Sequence, residues 1–66
     1  MTALVNGKER ELRDGTTVAE LLDVLGTAPG GVAVACNERV VRRVAYADHR
    51  IAQGDRIEII KVVAGG

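Results

Sequence analysis

The chain has few of the residues from which catalytic and metal sites are usually built. Its 66 residues include one cysteine, Cys36, one histidine, His49, and one aromatic residue, Tyr46. One cysteine cannot form an internal disulfide, and one cysteine with one histidine cannot supply the several ligands of a zinc site. The chain also lacks a Ser/His/Asp set and a phosphate-binding glycine loop. We therefore expect no bound metal, no tightly held cofactor and no enzymatic activity of its own.

The charge balance argues against a nucleic-acid partner. Nine basic residues are matched by nine acidic ones, whereas nucleic-acid-binding proteins carry a positive surface and aromatic stacking platforms. The apolar run at residues 3–5 is too short for a signal peptide or a membrane span. A lone cysteine is typical of a reducing compartment, so we expect a cytoplasmic protein without a membrane partner.

The first part of the chain predicts a hairpin followed by a helix. Residues 3–6 and 8–13 read as two strands, and Asn6-Gly7 between them is the dipeptide favoured by a tight type I′ turn. Thr17 and Glu20 have the spacing of a capping box, and Gly26 is placed to end the helix. The predicted apolar stripe of this helix consists of Val18, Leu21, Leu22 and Leu25.

The second part of the chain predicts three more strands. After a loop at residues 27–31, we expect a strand at 32–37, a turn at 37–38 and a short returning strand at 39–41. A loop with a helical turn at 42–50 and a turn at 53–55 then lead to a last strand that begins at residue 56. This order, with one amphipathic helix, is that of an α+β, ubiquitin-like β-grasp domain. We expect residues 1–66 to form one such domain, with a mixed sheet of four to five strands and the helix packed on one face.

The last strand predicts a second, exposed apolar surface. Its alternation places Ile57 and Ile59 on the helix face and leaves Ile60 and Val62 on the other face of the sheet. With Leu4 as a neighbour, Ile60 and Val62 would form a docking surface for a partner. Scattered exposed aliphatics are the alternative interpretation.

The chain closes on Gly65-Gly66 directly after this strand. Glycine has no Cβ, so a Gly-Gly end can enter a narrow channel and present its free carboxylate there. We therefore expect residues 63–66 to form an extended, flexible tail with Gly66 as its reactive end, although most chain ends are simply frayed.

The sequence resembles the ThiS-type sulfur carriers of thiamine (thiazole) biosynthesis along nearly its full length. The segments that carry the resemblance are residues 17–22, 32–37, 54–59 and the ending 62–66, Val-Val-Ala-Gly-Gly. The chain has Val41-Arg42-Arg43 where these proteins commonly have Val-Pro-Arg, and Tyr46 near a position where they often have tryptophan.

The resemblance implies a chemistry for the tail. An E1-like adenylyltransferase (ThiF-type) would use ATP and magnesium to adenylate the Gly66 carboxylate, and a persulfide donor enzyme would convert the adenylate to a thiocarboxylate. A ThiG-type thiazole synthase would then take the sulfur. The segment entering the partner active sites would be Val63, Ala64, Gly65 and Gly66, and the free carrier would be a monomer.

Other functions remain open on the sequence alone. Related sulfur carriers serve molybdopterin, amino-acid or thiosugar synthesis. A ubiquitin-like modifier would use the same tail to form amide bonds with other proteins. A stand-alone binding module would make no use of the tail. Among side chains, we expect Cys36 to be a buried hydrophobe and His49 to be a solvated loop residue. Arg42-Arg43 reads either as a solvated pair or as a contact for an acidic partner.

Overall fold

The computed structural model describes residues 1–62, and residues 63–66 lie outside this range. The described elements are β1 (Thr2–Val5), β2 (Lys8–Glu11), α1 (Val18–Val24), β3 (Val32–Cys36), β4 (Arg39–Val41) and β5 (Arg56–Lys61), with 3-10 turns at Pro29–Gly31 and Arg43–Ala45.

The five strands form one mixed sheet in the order β2-β1-β5-β3-β4. Only the β1–β5 pairing is parallel, with Val5 opposite Ile57; the other three strand pairs are antiparallel. The strand that is last in sequence therefore lies in the centre of the sheet. This topology confirms the predicted β-grasp fold and fixes the number of strands in the described residues at five.

Two tight turns shape the hairpins at the two edges. Asn6 and Gly7 have φ of 52° and 81°, as the predicted type I′ turn requires. Asn37 and Glu38 repeat this geometry with φ of 52° and 71°, and Glu38 thereby occupies a region that non-glycine residues rarely adopt. β2 is two residues shorter than predicted, because pairing stops at Glu11, whereas β1 has the predicted length of four residues but lies one residue earlier, at Thr2–Val5.

The predicted capping box starts α1. The Thr17 hydroxyl accepts a hydrogen bond from the Glu20 amide at 3.2 Å, and the Glu20 carboxylate accepts one from the Thr17 amide at 3.0 Å. The hydrogen bonds that the Glu20 carboxylate accepts from the Thr17 amide and hydroxyl lower its pKa. The next two amides of the first turn, on Val18 and Ala19, donate to carbonyls of the 42–50 loop. The first amide groups of the helix are thus hydrogen-bonded, one to the Thr17 cap and two to the 42–50 loop.

The core lies between α1 and one face of the sheet. Val18, Leu21 and Leu22 of the helix and Ile57 of β5 are almost completely buried, which confirms the predicted helix stripe; Leu25 packs at its margin. Tyr46 is also buried in this cluster, so the segment after β4 contributes to the core through its aromatic ring. All four residues of β2 are exposed.

The segment between α1 and β3 differs from its prediction, whereas the segment between β4 and β5 agrees with it. The 42–50 loop contains the expected short helical turn, at Arg43–Ala45. The segment predicted as a plain loop at 27–31 instead forms a 3-10 turn at Pro29–Gly31, with proline at its start. The fixed φ of proline favours this conformation. Within residues 1–62, no helix has the length and apolar character needed to cross a membrane.

We predict that Thr17→Ala lowers the free energy of unfolding by about 1 kcal/mol, because it removes the hydroxyl that accepts from the Glu20 amide. Thr17→Ser keeps the hydroxyl and is the matched control, expected to stay close to wild type. Urea denaturation of the three proteins measures the difference, and equal stabilities would show that the cap contributes nothing.

Candidate functional site

The candidate site is the end of β5 from which the chain continues to Gly66. The Val62 amide donates to the Gly31 carbonyl at 3.0 Å, so the β3 side of the strand is held as far as the last described residue. The predicted tail residues, Val63, Ala64, Gly65 and Gly66, lie outside the described residues. The structure thus defines the base of the predicted tail.

The other side of β5 is held by a side chain. β1 is paired with β5 only as far as Val5 opposite Ile57. Two residues further along β5, the Asn6 side chain makes hydrogen bonds to the backbone of Ile59. Its Oδ1 accepts from the Ile59 amide at 2.7 Å, and its Nδ2 donates to the Ile59 carbonyl at 3.2 Å. The Asn6 amide group therefore replaces the next peptide of a neighbouring strand.

The outer face of the sheet near the end of β5 is apolar. Ile60 and Val62 are 64% and 55% exposed, and the exposed Ala33 lies opposite Ile60 on β3. Leu4 is half-buried and lies opposite Arg56, at the other end of the strand. Ile60 is four positions after Arg56 in β5, which is about 13 Å of strand. The predicted docking residues are therefore an exposed pair, Ile60 and Val62, and a distant Leu4.

Polar side chains fix the beginning of β5. The Asn37 side chain accepts from the Arg56 amide at 2.9 Å and donates to the Asp55 carboxylate at 3.0 Å. The same carboxylate accepts from the Ala52 amide at 2.8 Å. Desolvation acts to raise the pKa of Asp55, but these hydrogen bonds and the nearby His49 outweigh it, so the pKa lies below its ordinary value.

An open cleft of about 640 Å³ lies at this same end, between β4 and the 42–50 loop. It brings together three residues that the sequence keeps apart, namely Cys36, His49 and Asp55. His49 is half-buried there rather than fully solvated as predicted, because the loop folds back on the helix start through its carbonyl. Arg56, next to Asp55 of the cleft, is six positions before Val62 at the base of the tail, which is about 20 Å of extended chain.

The geometry of this trio is that of a structural cluster. The Cys36 thiol is buried, as predicted, and donates to the Asp55 carboxylate at 3.5 Å. Burial, together with the negative charge and the hydrogen bond of Asp55, raises the pKa of the thiol to about 11. A reactive cysteine needs the opposite shift. Among residues 1–62, no group of three His, Cys, Asp or Glu side chains is arranged to hold a metal.

The basic pair after β4 is exposed, with Arg42 directly before the 3-10 turn and Arg43 as the first residue of that turn. Arg42 lines the cleft, whereas the guanidinium of Arg43 lies over Gly30, so close that a Cβ at Gly30 would stand 2.9 Å from Nη2. The two arginines therefore lie in different environments, Arg42 at the cleft and Arg43 over Gly30. Whether either one contacts a partner stays a prediction.

A five-stranded sheet grasping one helix, with the C-terminal strand at its centre and a Gly-Gly ending beyond it, defines a ubiquitin-like β-grasp protein. The chain belongs to the ThiS family, whose model matches residues 3–66. The match includes Gly65 and Gly66.

Similar proteins agree with this assignment. The sulfur carrier protein ThiS of Escherichia coli is 38% identical over 66 residues, which cover the whole of both chains. A thiazole synthase of Paramagnetospirillum magneticum is 36% identical over the same length, although the match covers only 20% of that longer protein. The crystal structure of the thiamine biosynthesis protein ThiS of Geobacter metallireducens superposes with a TM-score of 0.86 at 32% identity, with both chains fully covered.

We predict that Cys36 is unreactive in the folded protein. With a thiol pKa of about 11, its thiolate fraction at pH 8 is about a hundredfold below that of an ordinary cysteine. Alkylation should be slower than in the urea-unfolded chain by at least this factor, and its rate should rise about tenfold per pH unit. Labelling at equal rates in the folded and unfolded chains would contradict the assignment of Cys36 as a structural thiol.

Proposed function

We propose that this protein carries sulfur as a thiocarboxylate on Gly66 and donates it to thiazole formation in thiamine biosynthesis. The observation that carries the proposal is the full-length match to the ThiS family, which extends through the Gly-Gly end. A thiazole synthase that contains a segment similar to this whole chain supports the thiazole pathway over molybdopterin, amino-acid or thiosugar synthesis.

The first step activates the carboxylate. An ionised carboxylate is a poor electrophile, and an α-carboxyl group with a pKa of about 3.5 is ionised at neutral pH. In the proposed reaction, a Gly66 oxygen attacks the α-phosphorus of ATP in the E1-like partner, pyrophosphate leaves, and an acyl-adenylate forms. Magnesium belongs to the ATP in the partner enzyme. The need for ATP supports a cytoplasmic location for this reaction.

The second step exchanges AMP for sulfur. Attack of hydrosulfide on the acyl carbon expels AMP and gives the thiocarboxylate directly. Attack by an enzyme persulfide gives an acyl disulfide, which a second thiol reduces to the thiocarboxylate while a disulfide forms between the two thiols. The thiocarboxylate sulfur is nucleophilic near neutral pH and is delivered to thiazole synthase.

This division of labour assigns the carrier no catalytic step. Its cysteine is buried against Asp55 with a raised pKa, which favours a structural role over that of sulfur acceptor. The contribution of the chain is to present one carboxylate beyond β5, a strand whose first residue, Arg56, is held by the Asn37 side chain. Partner enzymes supply activation and transfer.

The same proposal gives Ile60 and Val62 a role in docking. Both are exposed on the outer face directly before the tail, so a partner that encloses residues 63–66 would cover them. Burial of such aliphatic side chains contributes favourable free energy to association. Leu4 lies about 13 Å along the sheet from Ile60, a separation that an interface of ordinary size would span.

We predict a mass gain equal to the difference between sulfur and oxygen after incubation with ATP, magnesium, a sulfide source and extract from the protein's own cells. Deletion of Gly66 should abolish the gain, since it removes the activated carboxylate from the reach of the partner, and should leave the fold unchanged because the deleted residue lies beyond β5. Intact-mass spectrometry reads the result.

Other outcomes of this incubation would contradict the proposal. A gain in the deletion variant would place the sulfur elsewhere on the chain. Reductant-resistant conjugates of higher mass without the sulfur gain would identify a ubiquitin-like modifier, and no change of either kind would leave a small binding module.

We further predict that Ile60→Thr raises the KM of the carrier for its adenylating enzyme roughly fivefold, the equivalent of about 1 kcal/mol of lost apolar contact. The matched control is Val40→Thr, another exposed strand residue (79% exposed) that lies on β4, away from the end of β5. Both changes keep β-branching, and thus strand propensity. Pyrophosphate release at varied carrier concentration measures KM, and equal values for the two variants would remove Ile60 from the interface.

A further inference from the structure

Two asparagines occupy equivalent places at the two ends of β5. Asn6 and Asn37 are each the first residue of a tight hairpin turn, and each has φ of 52°. Both side chains turn from their hairpin to β5: Asn37 binds the backbone of Arg56 and Asn6 binds that of Ile59. Only Asn6 acts at the end that leads to Gly66.

The Asn6 side chain supplies hydrogen bonds to β5 that β1 does not make. β1 ends opposite Ile57, so without Asn6 the following residues of β5 would be held on the β3 side alone. The Asn6 backbone amide donates to the Ile57 carbonyl at 2.8 Å, and its side chain then reaches both polar groups of the Ile59 backbone. Together these three bonds extend the two-sided hold on β5 by two residues.

We propose that Asn6 is a positioning residue for the reactive tail, which fixes the point on the sheet from which residues 63–66 enter the partner's active site. The inference rests on the proposed function. A segment held on both sides loses less conformational freedom on binding than one held on a single side. Asn6 therefore lowers the entropic cost of inserting the tail, although its side chain is 53 residues away in sequence from Ile59.

Asn6→Gly is the informative variant. Glycine adopts the required positive φ without strain, so the turn is retained while both side-chain hydrogen bonds are lost. Asn37→Gly is its control, since it makes the same chemical change at the same φ but releases the opposite end of β5. Any loss of general stability from an Asn-to-Gly change at such a turn is thus present in both variants.

Amide hydrogen exchange tests the structural half of the inference without any partner. Asn6→Gly should lower protection of the Ile59 amide roughly tenfold and leave the Arg56 amide near its wild-type value. Asn37→Gly should do the reverse, because its side chain accepts from the Arg56 amide. Equal loss of protection at both amides in both variants would mean that the asparagines stabilise the whole sheet, and would overturn the proposal.

Adenylation kinetics test the functional half. With the adenylating enzyme purified from the same cells, ATP and magnesium, Asn6→Gly should raise the KM for the carrier roughly tenfold and change kcat by less than about twofold. Asn37→Gly should keep the wild-type KM, and Asn6→Asp, which keeps an acceptor for the Ile59 amide, should fall between wild type and Asn6→Gly.

The outcomes separate the two levels of the proposal. A wild-type KM in Asn6→Gly, with wild-type protein adenylated normally, would overturn the positioning role alone. An equal rise in KM for Asn6→Gly and Asn37→Gly would also overturn it, since the effect would then follow stability. Failure of the wild-type protein to be adenylated would overturn the proposed function and, with it, the role of Asn6.

Discussion

The structure depends on the insertion of the last strand between the first and the third. β5 pairs in parallel with β1 and antiparallel with β3, and its Ile57 is buried under α1. A chain of this size buries only about 60% of its unfolded surface, and β5 contributes the buried Ile57 and the partly buried Ile59 to the core. The consequence for function is that the segment leading to Gly66 starts from the most constrained part of the sheet.

Much of this fold could be predicted because its signals are local. The Thr17–Glu20 capping box, the Asn6-Gly7 turn and the alternation of Ile57 and Ile59 each need only a few consecutive residues. The exposure of Ile60 and Val62 follows from the same alternation. The Pro29–Gly31 turn was missed because a short 3-10 turn has no periodicity to detect.

The features that were missed depend on register and on long-range contacts. No local pattern places Leu4 opposite Arg56 rather than beside Ile60, and none brings Cys36, His49 and Asp55 to one cleft. The Asn6 side chain was interpreted only through its turn propensity, although it also bonds to Ile59 on another strand. The one sequence signal that could have pointed to this contact is a second asparagine, Asn37, which also stands directly before a returning strand.

The proposed function requires that sulfur attached to Gly66 becomes the sulfur of a thiazole. The most direct test is to load the protein with a heavy sulfur isotope as its thiocarboxylate, add thiazole synthase from the same cells with its other substrates, and determine the isotope in the thiazole by mass spectrometry. We expect the thiazole to contain the heavy isotope and the carrier to return to its carboxylate mass. A thiazole formed without the label, or a carrier that keeps its sulfur, would contradict it.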